Sequence, residues 1–172
     1  RHPLERIQTI HCDTASLTGV NLLRVLLAER SLAPAFEPLP NYAHAADLNN
    51  VLLIGNPGID FLRAPHDHDI WDLGAAWHEL TGLPFVYAVW ALRRGHHDEA
   101  LRAKLLAAKE IGLTNLAQII ADHPDYDAVF RQSYLGGHIH YDFGDPEKAG
   151  LARFIELLKK HGDQSVYEPI FV

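Results

Sequence analysis

Ile7-Gln8-Thr9-Ile10-His11-Cys12, then Asp13-Thr14-Ala15-Ser16-Leu17-Thr18-Gly19, then residues 20–29, form the passage that settles the class of fold. The first six residues are a short β-rich run, and the next seven form a turn rich in small hydroxyl side chains. Beyond the turn, Leu22, Leu23, Val25, Leu26 and Leu27 place apolar groups around most of a helix. That distribution predicts a largely buried helix rather than one lying on a surface. Thr14, Ser16 and Thr18 all suit the N-cap, and one of them serves.

Working outward, residues 33–42 contain Pro34, Pro38 and Pro40, which read as a connecting loop and a boundary. The apolar residues 51–54 stop at Gly55-Asn56-Pro57-Gly58, the pattern of a buried strand opening into a tight turn. His66-Asp67-His68-Asp69 makes a polar loop, residues 74–80 have helical spacing, and Gly82-Leu83-Pro84 punctuates them. Residues 85–92 are continuously apolar and aromatic, which predicts a central strand. From Asp98 to Ala121 the pattern is helical, divided at Gly112-Leu113-Thr114, with Thr114 capping the second piece. A short helix over 127–135 stops at Gly136-Gly137, 138–143 is extended, and Asp145-Pro146-Glu147 opens a last helix to Lys160. Alternation of strands and helices makes this an α/β chain without internal repeats.

With 48% hydrophobic residues among 172, the chain is long enough to bury a core, and no apolar run reaches the length that spans a bilayer. Fifteen Lys and Arg against 22 Asp and Glu give a net charge of −7, which excludes nucleic acid and an anionic membrane surface as expected partners. The single Cys12 excludes an internal disulfide and a thiolate zinc cluster, and leans toward a cytoplasmic setting. The chain opens Arg-His-Pro, lacks Met, and has no leader of the signal-peptide kind, as a piece of something longer would.

Three constellations bear on chemistry. A strand feeding a helix through residues 13–19 offers backbone N–H groups and the positive end of the helix dipole to an anion such as a carboxylate; the same residues also serve as plain caps. The Asn56 amide at a strand's carboxyl edge suits a ligand hydroxyl or carboxylate, while Asn-Pro-Gly is equally ordinary turn chemistry. His66 with His68, and His138 with His140, each offer two imidazoles, but no cysteine or H-E-x-x-H pattern accompanies them, so no metal is expected. His96-His97 reads as exposed. Neither a nucleophile elbow nor a glycine-rich phosphate loop is present.

Asp72-Leu73-Gly74, Trp77 and the run Leu80-Thr81-Gly82-Leu83-Pro84-Phe85-Val86-Tyr87-Ala88-Val89-Trp90-Ala91 resemble the central signature of the chorismate dehydratases of the futalosine route to menaquinone. The turn at 13–20 resembles that family's D-T-S-S-x-T-S-V, and Leu52-Leu53-Ile54-Gly55-Asn56-Pro57 its L-L-I-G-D-x stretch. Residues 139–144 and 150–154 are similar to its closing helix pair. The resemblance covers nearly the whole chain and sits closer to the dehydratase than to the related dihydroxynaphthoate synthase.

The resemblance implies a type II periplasmic-binding-protein-like α/β fold of two lobes, with the N-terminal part of the first lobe missing. Residues 1–97 would then be mainly the second lobe, and 98–172 a helical remainder returning toward the first. It further implies a cytoplasmic carbon–oxygen lyase that takes water from chorismate without a cofactor. The expected partner is this small-molecule substrate. Substrate-binding residues would be Thr14, Ala15, Ser16, Thr18, Asn56 and Phe85, with Tyr87 as a second candidate for an apolar wall. The family's catalytic Asn lies in a segment before these residues, and Asn56 stands where the family usually has Asp. A non-catalytic carboxylate-binding protein of the same fold is the competing expectation. Trp71, Trp77 and Trp90 are expected in the core.

Overall fold

The computed structural model describes residues 3–13, 15–93, 95–96, 98–162 and 165–171, and these form two compact units. The first comprises residues 1–88 and 144–172, the second 89–143.

In the first unit, β1 (Thr9–Cys12) is the middle strand of a three-stranded parallel sheet, flanked by β2 (Ala35–Pro38) and β3 (Val51–Leu52). The connecting loop expected at 33–42 is in part β2. Its prolines are compatible with pairing because β2 lies at the sheet's edge, where Pro38 opposes Cys12 and a missing N–H is tolerated. The ladder continues one residue further, with the Leu39 N–H donating to the Cys12 carbonyl at 2.8 Å.

Helix α1 (Leu17–Ala28) lies between two cores, which is why its sequence is apolar nearly all round. Leu23 and Leu27 pack on Ile10, Cys12 and Leu52 of the sheet. Leu22, Val25 and Leu26 face Ala76 and Trp77 of α3 (Leu73–Thr81) and Phe154 and Leu157 of α7 (Asp145–His161). Helix α2 (Asn56–Arg63) begins inside the expected Gly-Asn-Pro-Gly turn: Gly55, at φ 67°, takes a backbone conformation that favours glycine, and Pro57 fits the first helical turn. Asp72 caps α3 by accepting the Ala75 N–H at 2.7 Å, and Gly82 ends it in the left-handed conformation.

The strand expected over 85–92 is absent: these residues have no regular structure, and the chain leaves the first unit between Ala88 and Val89. Phe85 is used for packing instead, edge-on to Trp77 and Phe154 with ring centroids 5.4 and 4.9 Å away. The Trp77 Nε1–H donates to the Pro84 carbonyl at 3.3 Å. Trp77 is fully buried and Trp71 half-buried, whereas Trp90 is 65% exposed, contrary to the core position expected for it.

The second unit holds α4 (Glu99–Thr114), α5 (Leu116–Asp122) and α6 (Ala128–Ser133), followed by a π-helical turn over Tyr134–His138. The break between α4 and α5 falls at Asn115 rather than at 112–114, and the Thr114 hydroxyl donates back to Glu110 instead of capping α5. Gly136 and Gly137 are absorbed into the π turn, so the expected extension of 138–143 begins only after His138. Arg131 ties this unit together by donating to the carbonyls of Ile120 at 2.7 Å and Tyr126 at 2.5 Å.

Two contacts in the first unit yield predictions. A Cβ on Gly150 of α7 would collide with the Pro84 carbonyl oxygen, a backbone atom unable to swing aside. Gly150→Ala should therefore destabilise the fold by about 1–3 kcal/mol in denaturant unfolding, despite the better helix propensity of alanine. At the other end of α7, Lys160 Nζ and His161 Nε2 donate to Glu29 Oε1 at 2.7 and 2.5 Å. The hydrogen bonds from Lys160 and then His161 hold the Glu29 carboxyl below its ordinary value of 4.5. A folded-state pKa lowered in this way adds stability above the unfolded value that is lost as pH falls through the folded one. Glu29→Gln should lower Tm modestly at neutral pH, and the two proteins should converge on acidification below about 4.5, as read by thermal melts across pH.

Candidate functional site

The carboxyl edge of the parallel sheet is where β1 and β3 each give way toward a helix and β2 gives way to a proline-rich turn. At the end of β1, Asp13 Oδ1 accepts the Ala15 N–H at 2.8 Å and turns the chain toward α1. Ser16, in an extended conformation, caps α1 by accepting the Gly19 N–H at 3.2 Å. Gly19 is the point of close approach to the end of β3, since a Cβ there would overlap Ile54 Cδ1. The start of α1 is thereby held beside Ile54, two residues from Asn56 at the start of α2. Two helix N-termini thus arise from neighbouring strands at one edge of the sheet, each carrying partial positive charge.

On the other side of β1, Pro38-Leu39-Pro40-Asn41 leads into a 3-10 helix at Tyr42–Asp47. Asn41 caps it by accepting the Ala43 N–H at 2.9 Å. Asp13, Ala15, Leu39, Pro40, Asn41 and Tyr42 line a concavity of about 340 Å³. Asp13 is 7% exposed, the buried charged side chain among the described residues. The hydrogen-bonding pull of the nearby Asp13 carboxyl, and then lost solvation, raise the Tyr42 phenol above its ordinary value of 10.

Of the six residues expected to bind substrate, Ala15, Ser16 and Thr18 lie together at the α1 turn. The N–H of Ala15 is committed to Asp13, so Ala15 enters the concavity as lining. Asn56, exposed at the first position of α2, is brought near the turn through the Gly19–Ile54 contact. Phe85 is placed in the aromatic cluster with Trp77 and Phe154 and is not among the residues lining the concavity, and Tyr87 stands edge-on to Phe85 at 4.8 Å. Thr14 lies outside the described residues. Asp13 lies in the turn at 13–19 singled out from the sequence, though not among the six named residues, and Tyr42 was not singled out. The legible signal for Asp13 was an acid directly at a strand's carboxyl end, but Tyr42 carried none because β2 read as loop.

His66 and His68 have structural partners. His66 stacks on Phe61 with centroids 5.0 Å apart, and His68 Nε2 donates to the Leu48 carbonyl at 2.6 Å. His96 is exposed, and His97 lies outside the described residues. Among the described residues no three His, Cys, Asp or Glu side chains gather where they would share an ion. No helix there is long and apolar enough to cross a membrane.

A sequence family described as menaquinone biosynthesis matches residues 1–160, and the chain belongs to that family. A chorismate dehydratase from Thermus thermophilus is 30% identical over 179 aligned positions, covering 90% of this chain. The match spans 64% of that relative's length.

Cys12, beneath this edge, is 4% exposed, and burial pushes its thiol up to about 11 against a small opposing effect of Arg24. Thiolate is the reactive form. Cys12 should therefore resist iodoacetamide in the native protein at neutral pH and be labelled readily in denaturant, as followed by intact-mass measurement.

Proposed function

We propose that this chain carries part of the site of a lyase that dehydrates chorismate to 3-[(1-carboxyvinyl)oxy]benzoate in the futalosine route to menaquinone. The observation that carries this reading is the pair of helix N-termini brought together at the sheet's carboxyl edge by Gly19 and Ile54. Chorismate has two carboxylates, and such termini are suited to anions. The Thermus relative's name and the family membership support the same substrate class.

In the reaction, the ring hydroxyl at C4 and the proton at C3 leave together as water. The new C3–C4 double bond completes an aromatic ring, so aromatisation supplies much of the driving force. The protein's part is to hold the carboxylates, orient the departing hydroxyl and keep solvent away. In this reading the Ser16 hydroxyl and the first-turn N–H groups of α1, Thr18 included, face one carboxylate. Thr14 stands beside them in sequence, and Asn56 orients the substrate from the start of α2. Neutral Asn56 binds without acting as a base. The two-lobed periplasmic-binding-protein-like architecture belongs to the same proposal.

The test is incubation of the chain with chorismate and mass spectrometry of the ligand. A product lighter by one water, above a protein-free control, is the expected result. Chorismate that binds and is recovered unchanged would instead identify a carboxylate-binding module, and absence of binding would remove the substrate assignment.

A further inference from the structure

Helix α7 is apolar on more than the face that builds the core. Leu157 packs with Leu22, Val25 and Leu26 of α1. Ile155, two residues earlier and so about 200° away around the helix, lies on a different face, yet it is only 7% exposed and is not among the residues of either core. It shares its stripe with Lys148, seven residues before it, and Lys159, four after it. Both of those lysines hold the C-terminal tail. Lys159 Nζ donates to Glu168 Oε1, and Lys148 Nζ stands 5.7 Å from the centroid of the Phe171 ring.

These two contacts fix the course of the tail. Lys148 and Lys159 are eleven residues apart, about 16 Å along a helix, whereas the three steps from Glu168 to Phe171 span about 10 Å when extended. With the long lysine side chains making up the difference, the tail runs antiparallel to α7 and nearly straight. Pro169 favours that course, because it fixes its own φ and biases Glu168 toward extended backbone. Val166 is half-buried, while Tyr167 and Ile170 are exposed and form the outer side. The last turn of α7 thereby divides three neighbouring basic side chains between two acids: Lys159 takes Glu168 of the tail, and Lys160 and His161 take Glu29 at the end of α1.

We infer that residues 165–171 are a strap that closes over the outer stripe of α7, shields Ile155 from water, and is latched by the pair Lys159 and Glu168. Both side chains of the latch are exposed, so dissolved ions screen their attraction and opening responds to ionic strength. Opening lays Ile155 bare and leaves Phe154 and Leu157 in the core that α7 shares with α1. The strap does not depend on the chemistry proposed above.

Trimming by carboxypeptidase A reads the open strap, since the protease acts on a free, extended C-terminus. Initial rates are followed by intact mass at low and high salt for the wild-type chain, Lys159→Glu, Glu168→Lys, and the two substitutions together, each normalised to a synthetic peptide of its own tail. The substituted side chains are exposed, so the fold is left intact. Each single reversal should speed trimming about threefold at low salt, the double exchange should return it to within about 1.5-fold of wild type, and salt should bring the wild type toward the single variants. Fluorescence of 8-anilinonaphthalene-1-sulfonate, which binds exposed apolar surface, should rise with each single reversal and fall back in the exchange. Trimming that ignores the reversals and salt, or reversals that the exchange does not restore, would overturn the latch. Trimming as expected with unchanged dye fluorescence would overturn the shielding of Ile155.

Discussion

Burial of α1 on two opposite faces is the constraint on which the first unit depends. Leu23 and Leu27 complete the core over the sheet, and Leu22, Val25 and Leu26 complete the one shared with α3 and α7. Neither layer can move without opening a cavity against the same helix, and large-to-small changes at such positions cost several kcal/mol. The two ends of the helix are fixed separately. Gly19 sets the approach to Ile54, and Glu29 is held by Lys160 and His161. An acid at a helix C-terminus opposes the dipole, and the two basic side chains offset it. A helix so held presents its N-terminus to the sheet's carboxyl edge in one direction.

Asp13 organises what lies at that edge. A carboxylate this buried is costly unless hydrogen-bonded, and Asp13 accepts the Ala15 N–H while sharing a concavity with Tyr42 from another part of the chain. Through it the turn after β1 and the turn after β2 become one structure. The middle strand therefore separates two environments: helix termini suited to negative charge toward β3, and a concavity lined by Asp13, Leu39, Pro40, Asn41 and Tyr42 toward β2. The family to which the chain belongs is described as menaquinone biosynthesis.

Local signals were read directly where they suffice. The strand at 9–12, a hydroxyl cap within residues 14–18, the burial of α1 and the final helix from Asp145 follow from periodicity and capping chemistry, which need only neighbours within a few residues. The signature around Leu80-Thr81-Gly82-Leu83-Pro84 carried the family in the same way. Residues 33–42 were misread because proline content normally argues against a strand, and only the position of β2 at the sheet's edge makes Pro38 acceptable. Residues 85–92 were misread for the converse reason. An apolar aromatic run is a strand only if another strand pairs with it, and here Phe85 is drawn into the cluster of Trp77 and Phe154.

The sequence by itself determined the strand–turn–helix at residues 9–28, the hydroxyl-rich turn that supplies its cap, and membership of the family. Tertiary structure alone decided that Asp13 meets Tyr42 and that the start of α1 meets the end of β3. These pairs are separated by 29 and 35 positions (42 − 13; 54 − 19), and no local propensity encodes contacts over such distances. They exist because parallel pairing sets the ends of β1, β2 and β3 side by side, so the turns that follow those strands converge at one edge.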